Sequence, residues 1–191
     1  IVPPDFDPGR QYPALLYCQG GPQSVVSQFW SYRWNSQLRA AQGYIVVLPN
    51  RRGLPSFGQE WLDQISGDYS GQNIRDYLSA IDDVDKEPWC DETRMGCVGA
   101  SYGGYSAFYL AGHHDKRFKA FIALCGIVDF TSMYGRPEEL FYANNDYGGP
   151  YWDETNNTAQ SSYANPPHME GKKWAAPIML LTGLTDFTIT Y

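Results

Sequence analysis

The sequence predicts an α/β fold, with a mostly parallel sheet and helices on both of its faces. Three observations lead to this prediction. Five short apolar segments recur along the 191 residues, and segments of helical pattern separate them. Strands that alternate with helices form β-α-β units, in which neighbouring strands run parallel. The apolar segments also lack a polar–apolar alternation, which is typical of strands that are covered on both faces.

The apolar segments and the helical patterns define the predicted elements. The predicted strands are residues 14–18, 44–49, 95–100, 119–126 and 176–183. An amphipathic helix is predicted between the second and third strands, because apolar residues recur there at helical spacing: Ile74, Tyr77, Leu78, Ile81 and Val84. A second helix, rich in small residues, is predicted from Gly103 to about Gly112 and is suited to close packing on a sheet.

Residues 131–175 show no sustained period and are rich in Gly, Pro, Asn and Tyr. So long an irregular stretch is usually a functional excursion rather than a simple connection. Its Tyr and Trp residues between positions 134 and 152 fit either the lining of a substrate pocket or ordinary packing.

The composition indicates one globular domain and excludes some classes of function. Hydrophobic residues make up 43% of the chain and charged residues 18%, which is ordinary for a globular protein. The net charge is −7, and the basic clusters are no longer than "NRRG" and "GKKW", so a nucleic-acid partner is not expected. Apolar runs such as "YIVVLP" are too short to span a bilayer. The oligomeric state stays open, a homo-oligomer included.

The four cysteines do not form a recognisable framework. They are too few and too scattered for a disulfide-stabilised scaffold, and they lack the spacing of zinc ligands. Cys18 and Cys125 lie in or at the ends of apolar runs, which favours buried thiols. Cys90 and Cys97 would bridge only if a hairpin brought them together, and the sequence leaves this open. We expect no metal and no cofactor.

The segment "GASYGGYS" at residues 99–106 carries the strongest chemical signal. It contains G-x-S-x-G, the pattern of a serine nucleophile on a sharp strand-to-helix turn. A predicted strand precedes Ser101 and a predicted helix follows it, as this turn requires. The start of a helix also directs free N–H groups toward developing negative charge. We therefore assign Ser101 as the candidate nucleophile, against the alternative of a purely structural turn.

A second motif, "YCQGGPQS", follows the first predicted strand. A loop in this position lies beside the nucleophile and supplies a hydrogen-bond donor for an oxyanion. By itself the motif is no more than a Gly-Gly-Pro turn. Beside the nucleophile turn, we assign the backbone N–H groups of Tyr102 and Gly21 as oxyanion donors, with the Gln19 amide as a third candidate.

The remaining partners of a catalytic triad are a carboxylate and a histidine. Asp186 lies three residues after a strand-ending glycine, where a triad carboxylate orients a histidine. A solvated loop aspartate is the alternative there. The three histidines, His113, His114 and His168, precede Asp186, whereas the triad order of this turn is Ser, Asp, His. We expect structural or surface roles for all three.

Several segments together resemble one known family, the prolyl oligopeptidase family of serine peptidases. They follow the order of that family's peptidase domain and cover essentially the whole chain: "QGGPQS", "GYIVVLPNRRGLPSFGQEW", "GDYSGQNIRDYLSAIDDV", "GCVGASYGGYSAFYLAG", "YGGPYW" and "APIMLLTGLTDF". Within the family, the sequence is most similar to the bacterial dipeptidyl-peptidase and acylaminoacyl-peptidase branch.

The resemblance implies the rest of the expectations. It implies that residues 1–191 are the central part of an α/β-hydrolase peptidase domain, preceded by a β-propeller. It implies a peptide substrate cleaved near its N-terminus, Ser101 as nucleophile and Asp186 as triad acid. It also implies a triad histidine in sequence beyond Asp186 and a periplasmic or secreted location. We expect these 191 residues alone to be inactive.

Two alternatives remain at this point. The same turn serves carboxylesterases and lipase-like hydrolases, and the fold does not choose between esters and amides. A binding module could also keep the hydrolase core without chemistry, although the presence of both Ser101 and Asp186 disfavours this.

Overall fold

A computed structural model describes residues 1–27, 30–136 and 139–189. Its centre is a five-stranded parallel sheet with the order β2-β1-β3-β4-β5. The strands are β1 (Ala14–Cys18), β2 (Ile45–Val47), β3 (Gly96–Ala100), β4 (Ala120–Leu124) and β5 (Ile178–Leu181). All five predicted strands are confirmed, each within its predicted range. The carboxyl ends of parallel strands meet at one edge of the sheet, and that edge carries the candidate site.

Coverage of the strands differs across the sheet. β1 and β3 are largely buried, as predicted. β4 alternates between exposed and buried residues, and β5 is mostly exposed. The prediction that every strand is covered on both faces is therefore wrong for β4 and β5. The apolar sequence of β5 does not indicate whether the strand is buried, because the residues are apolar in either case.

Seven α-helices are described: α1 (Ser36–Ala41), α2 (Gln59–Asp63), α3 (Gln72–Asp85), α4 (Tyr102–His113), α5 (Phe130–Tyr134), α6 (Leu140–Tyr147) and α7 (Asn157–Tyr163). The predicted amphipathic helix is α3, which buries Ile74, Tyr77 and Ile81. The predicted small-residue helix is α4, which packs on β1, β3 and β4. Short 3₁₀ helices occupy Glu92–Arg94 and Pro167–Lys173.

The prediction of an irregular stretch at residues 131–175 is only partly right. The stretch holds most of α5, all of α6 and α7 and a 3₁₀ helix. These helices have five to eight residues, too few to produce a sustained period in the sequence. Aromatic side chains of these helices pack with Tyr69, Tyr102 and Tyr105 in a hydrophobic cluster separate from the core around the sheet. Tyr102 and Tyr105 belong to the start of α4.

The cysteines are all free thiols. The sulfur atoms of Cys18 and Cys97 lie 3.6 Å apart on the neighbouring strands β1 and β3. The backbone of Cys90 pairs with that of Tyr12 in an isolated β-bridge. Cys90 and Cys97 are not joined by a disulfide bond. Cys18 is buried as predicted, and Cys125 is half-buried.

No helix within residues 1–27, 30–136 and 139–189 is both long enough and apolar enough to cross a bilayer.

Candidate active site

Ser101 occupies the turn between β3 and α4, directly before the first residue of the helix. Its backbone has φ 59° and ψ −124°, a conformation that residues with a side chain rarely adopt. The amide of Ser101 donates to the carbonyl of Leu124 across 2.9 Å, which holds the turn against the end of β4. Strained backbone of this kind clusters at functional sites. The predicted strand–turn–helix context of Ser101 is thus present.

The two glycines of the motif are required by close backbone approach. A Cβ atom at Gly99 would collide with the backbone of Gly103. A Cβ atom at Gly103 would collide with the carbonyl oxygen of Cys18, the last residue of β1. Any side chain at either position would therefore push the turn off the sheet. The G-x-S-x-G spacing reflects these two contacts.

Tyr102 begins α4, so its backbone N–H has no acceptor within the helix. Its side chain is fully buried, and burial raises the pKa of its phenol. The hydroxyl donates to the carbonyl of Tyr69 across 2.8 Å and accepts from the Asn73 amide. The phenol is thus committed to the core. The backbone N–H is the polar group of Tyr102 that remains without a hydrogen-bond partner among the described residues.

The loop after β1 lies directly on the nucleophile turn. A Cβ atom at Gly20 would stand 2.9 Å from the carbonyl oxygen of Ala100 and 3.5 Å from the Cβ atom of Ser101. Gly21 is exposed and lines the same cleft as Ser101. The Gln19 amide nitrogen donates to the hydroxyl of Ser24 across 3.1 Å. That bond lies within the loop, and Gln19 does not line the cleft.

A cleft of about 170 Å³ opens beside Ser101. Its lining residues are Gly21, Ser101, Ile127, Met133, Glu139, Tyr142, Thr188 and Ile189. The walls combine apolar side chains with polar groups, among which Glu139 adds one carboxylate. Tyr142 falls among the aromatic residues of positions 134–152 that fit a pocket. Ser101 and Gly21 were predicted as site residues. The other wall residues, such as Ile127 and Met133, gave no signal in the sequence, because an isolated residue does not reveal which cavity it faces.

Asp186 follows β5 at the same edge of the sheet. Its Oδ1 accepts hydrogen bonds from the backbone N–H groups of Thr188, at 3.1 Å, and Ile189, at 2.9 Å. Those two residues line the cleft, whereas Asp186 itself makes no hydrogen bond to Ser101 within the described residues. Cys125 lies beside Asp186, at the end of β4. Burial and then the Asp186 carboxylate raise the pKa of the Cys125 thiol.

The three histidines have other partners. His113 is the last residue of α4, stacks on Tyr109 and approaches Glu170 at 3.8 Å. His114 is buried and accepts the backbone N–H of Phe118. His168 makes its ring contact with the carbonyl of Val128. None of these contacts reaches Ser101 or Asp186, in agreement with the structural or surface roles that were expected.

The same edge of the sheet offers no metal centre in the part of the chain that the structure describes. No group of three or more His, Cys, Asp or Glu side chains in the described ranges is arranged to hold an ion.

Comparison with known proteins identifies relatives across the whole chain. Residues 30–191 match the model of the prolyl oligopeptidase family. The chain is 58% identical to dipeptidyl-peptidase 5 of Porphyromonas gingivalis and 54% identical to dipeptidyl-peptidase 5 of Porphyromonas endodontalis, over 99% of its length in each case. It spans only 28% and 27% of those two proteins.

Solved structures show the same fold. The acylaminoacyl peptidase of Pyrococcus horikoshii superposes with a TM-score of 0.84 at 25% identity, covering 98% of this chain and 30% of that one. Dipeptidyl peptidase 4 of Porphyromonas gingivalis superposes with a TM-score of 0.78 at 23% identity, covering 96% of this chain and 25% of that one. The fold is that of the α/β-hydrolases, and the chain belongs to the prolyl oligopeptidase family of serine peptidases.

Proposed function

We propose that these residues are the central part of the peptidase domain of a longer serine peptidase. The enzyme releases dipeptides from the N-termini of short peptides through an acyl-enzyme on Ser101. The observation that carries the proposal is the geometry of Ser101, whose left-handed backbone holds it at the start of α4 and beside a cleft. The two relatives named dipeptidyl-peptidase 5 support the choice of dipeptides.

The reaction follows from the groups at the cleft. Ser101 Oγ attacks the scissile carbonyl while a histidine accepts its proton. The backbone N–H groups of Tyr102 and Gly21 stabilise the negative charge that develops on the carbonyl oxygen. The histidine then protonates the leaving amine, and water hydrolyses the acyl-enzyme by the reverse proton transfers. Asp186 orients the histidine and stabilises its charged form.

The histidine of this reaction comes from outside the 191 residues. His113, His114 and His168 are bound elsewhere, which supports this assignment. The small share of the relatives' length that the chain spans leaves room for this histidine and for a β-propeller domain that restricts access to the cleft. A periplasmic or secreted location of the enzyme rests on the family resemblance alone.

A second class of substrate is also a candidate. The structural similarity to an acylaminoacyl peptidase favours, as a second candidate, substrates whose N-terminus is blocked. A free ammonium group requires a paired charge when it leaves water, whereas a blocked N-terminus does not. Turnover of a dipeptidyl p-nitroanilide with a free N-terminus, compared with its N-acetylated form, distinguishes the two.

The test is the substitution Ser101→Ala in the full-length protein. We expect hydrolysis of the dipeptidyl p-nitroanilide to fall by several orders of magnitude, because the serine and its base act as a unit. Fluorophosphonate labelling should disappear as well, while the circular dichroism spectrum is unchanged. Labelling that persists in the variant would show that another residue is the nucleophile.

A further inference from the structure

The loop at residues 19–24, called here the oxyanion loop, contacts two buried side chains of opposite charge. Arg51 is 1% exposed and Asp146 is 3% exposed. Neither takes part in an ion pair among the described residues. Charges so deeply buried are costly unless hydrogen bonds compensate them. The hydrogen bonds of Arg51 and Asp146 therefore indicate which part of the structure the two charges stabilise.

Arg51 binds the oxyanion loop through its guanidinium group. Its Nη2 donates to the carbonyl oxygens of Pro22, at 3.0 Å, and Gln19, at 3.4 Å. The two carbonyls flank the Gly20–Gly21 segment that lies on the nucleophile turn. The guanidinium also lies 4.7 Å from the ring centre of Tyr102. One side chain thus supports both residues proposed as oxyanion donors.

Two further bonds orient the guanidinium of Arg51. Its Nε donates to the hydroxyl of Tyr77 at 2.9 Å, and its Nη1 donates to the carbonyl of Arg52 at 2.9 Å. The Tyr77 hydroxyl in turn accepts the backbone N–H of Gln19. The rigid planar fork of arginine can serve these acceptors simultaneously, which an ammonium group at one point cannot.

Asp146 binds the oxyanion loop through its carboxylate group. The side-chain amide of Gln23 donates to Asp146 Oδ2 across 2.8 Å. The hydroxyl of Tyr69 donates to the same oxygen and also contacts the hydroxyl of Tyr142, a wall of the cleft. The other oxygen, Oδ1, accepts from Asn145 at 3.1 Å. Asp146 therefore connects the oxyanion loop to the cleft wall.

We propose that Arg51 and Asp146 are positioning residues, which hold the oxyanion loop between a buried cation and a buried anion so that the Gly21 N–H faces the oxyanion. This inference rests on the proposed function of the same site. Neither residue touches the reacting atoms. A displacement of about 1 Å at an oxyanion donor is enough to cost much of its effect, because the donor must match the transition state and not the substrate.

The test reverses the polarity of one hydrogen bond in the full-length protein. Gln23→Glu places two carboxylates against each other. Asp146→Asn replaces one of the two acceptor oxygens by an amide nitrogen, so that either Gln23 or Asn145 faces a donor. We expect each to lower kcat for the dipeptidyl p-nitroanilide by about tenfold, with KM changed less than about twofold. In the double variant, the amide introduced at position 146 donates to the carboxylate introduced at position 23. Its kcat should therefore return to within about threefold of wild type.

Two further variants complete the test. Gln23→Met removes the amide from a half-buried side chain and carries the test if Asp146→Asn does not fold; kcat should again fall with KM unchanged. Arg51→Lys keeps the charge but cannot span both carbonyls, and kcat should fall likewise. The control is Asp82→Asn, which removes a surface carboxylate that pairs with Arg117.

The outcomes separate the two proposals. If wild type is active but every variant keeps its kcat, or the double variant is no better than the single ones, the positioning role is wrong. If wild type shows neither turnover nor fluorophosphonate labelling of Ser101, the proposed function itself is wrong. Because partial unfolding lowers the apparent kcat without changing KM, kcat is expressed per mole of folded protein, as circular dichroism measures it. A fall in this kcat that the polarity reversal repairs supports the positioning role.

Discussion

The backbone N–H of Phe118 donates a hydrogen bond to Nδ1 of His114 across 3.1 Å. The imidazole is buried, and the rings of Phe118 and Phe121 lie 6.0 and 5.1 Å from it. A donor at Nδ1 requires that this nitrogen carry no proton, so the folded protein holds His114 neutral. Burial accordingly lowers the pKa of His114 below its ordinary value of 6.5.

The first prediction concerns pH. The unfolded chain takes up a proton at His114 near pH 6.5, whereas the folded chain does so only at lower pH. The contribution of neutral His114 to the free energy of unfolding is therefore fully present above pH 6.5. It is lost as the pH falls from 6.5 toward the folded-state pKa of His114. His114→Asn, whose Oδ1 can replace Nδ1 as acceptor, should flatten this dependence.

Urea denaturation of wild type and variant between pH 8 and pH 5 measures the effect. The matched control is His168→Asn, since His168 is exposed. A wild-type free energy of unfolding that falls no faster than that of His114→Asn over this range would contradict the prediction.

The second prediction concerns Gly103. Its substitution by Ala places a methyl group against the carbonyl oxygen of Cys18, which belongs to the backbone of β1 and cannot move aside. We expect a loss of about 1–3 kcal/mol in the free energy of unfolding and a fall in fluorophosphonate labelling.

Gly112→Ala in the same helix is the control for Gly103→Ala. A Cβ atom there meets only ordinary contacts, of which the nearest is Glu170 at 3.5 Å. Alanine is the better helix former, so this variant should be as stable as wild type or more stable, by up to about 1 kcal/mol. Equal effects of the two substitutions would refute the steric explanation.

The third prediction concerns the strain at Ser101. Its φ of 59° combined with a ψ of −124° is readily adopted by glycine and poorly by any residue with a Cβ atom. Ser101→Gly should therefore be more stable than Ser101→Ala by about 1 kcal/mol, while both variants are inactive. Chemical denaturation of the two variants gives the difference, and equal stabilities would show that the turn stores no strain.

The fourth prediction concerns Asp186. In the full-length protein, Asp186→Asn should lower kcat by about 10⁴-fold, because the amide no longer selects the correct tautomer of the histidine. Asp153→Asn is the matched control, since Asp153 also accepts the backbone N–H of the residue two positions on, Thr155. If both substitutions leave kcat unchanged, Asp186 is a turn residue and another carboxylate orients the histidine.

The sequence was sufficient for the elements that repeat a simple pattern. The five strands are uninterrupted apolar runs, and α3 presents its apolar residues at helical spacing, so the local apolar pattern alone locates them. The turn at Ser101 was also predictable, since its two glycines are needed wherever a strand passes sharply into a helix. These features are visible in residues close to one another in the chain, although one contact that requires Gly103, with the carbonyl oxygen of Cys18, is a long-range contact.

The tertiary structure alone decided which distant side chains meet. "NRRG" reads as a short basic cluster, yet Arg51 is buried and binds Pro22, 29 positions earlier in the chain, while Asp146 reaches the same loop through Gln23. Neither contact has a local pattern, because each joins residues far apart in sequence through the order of the sheet. For the same reason, the cleft walls at residues such as Ile127 emerged only with the fold. Local spacing determined the nucleophile turn, and long-range packing determined its surroundings.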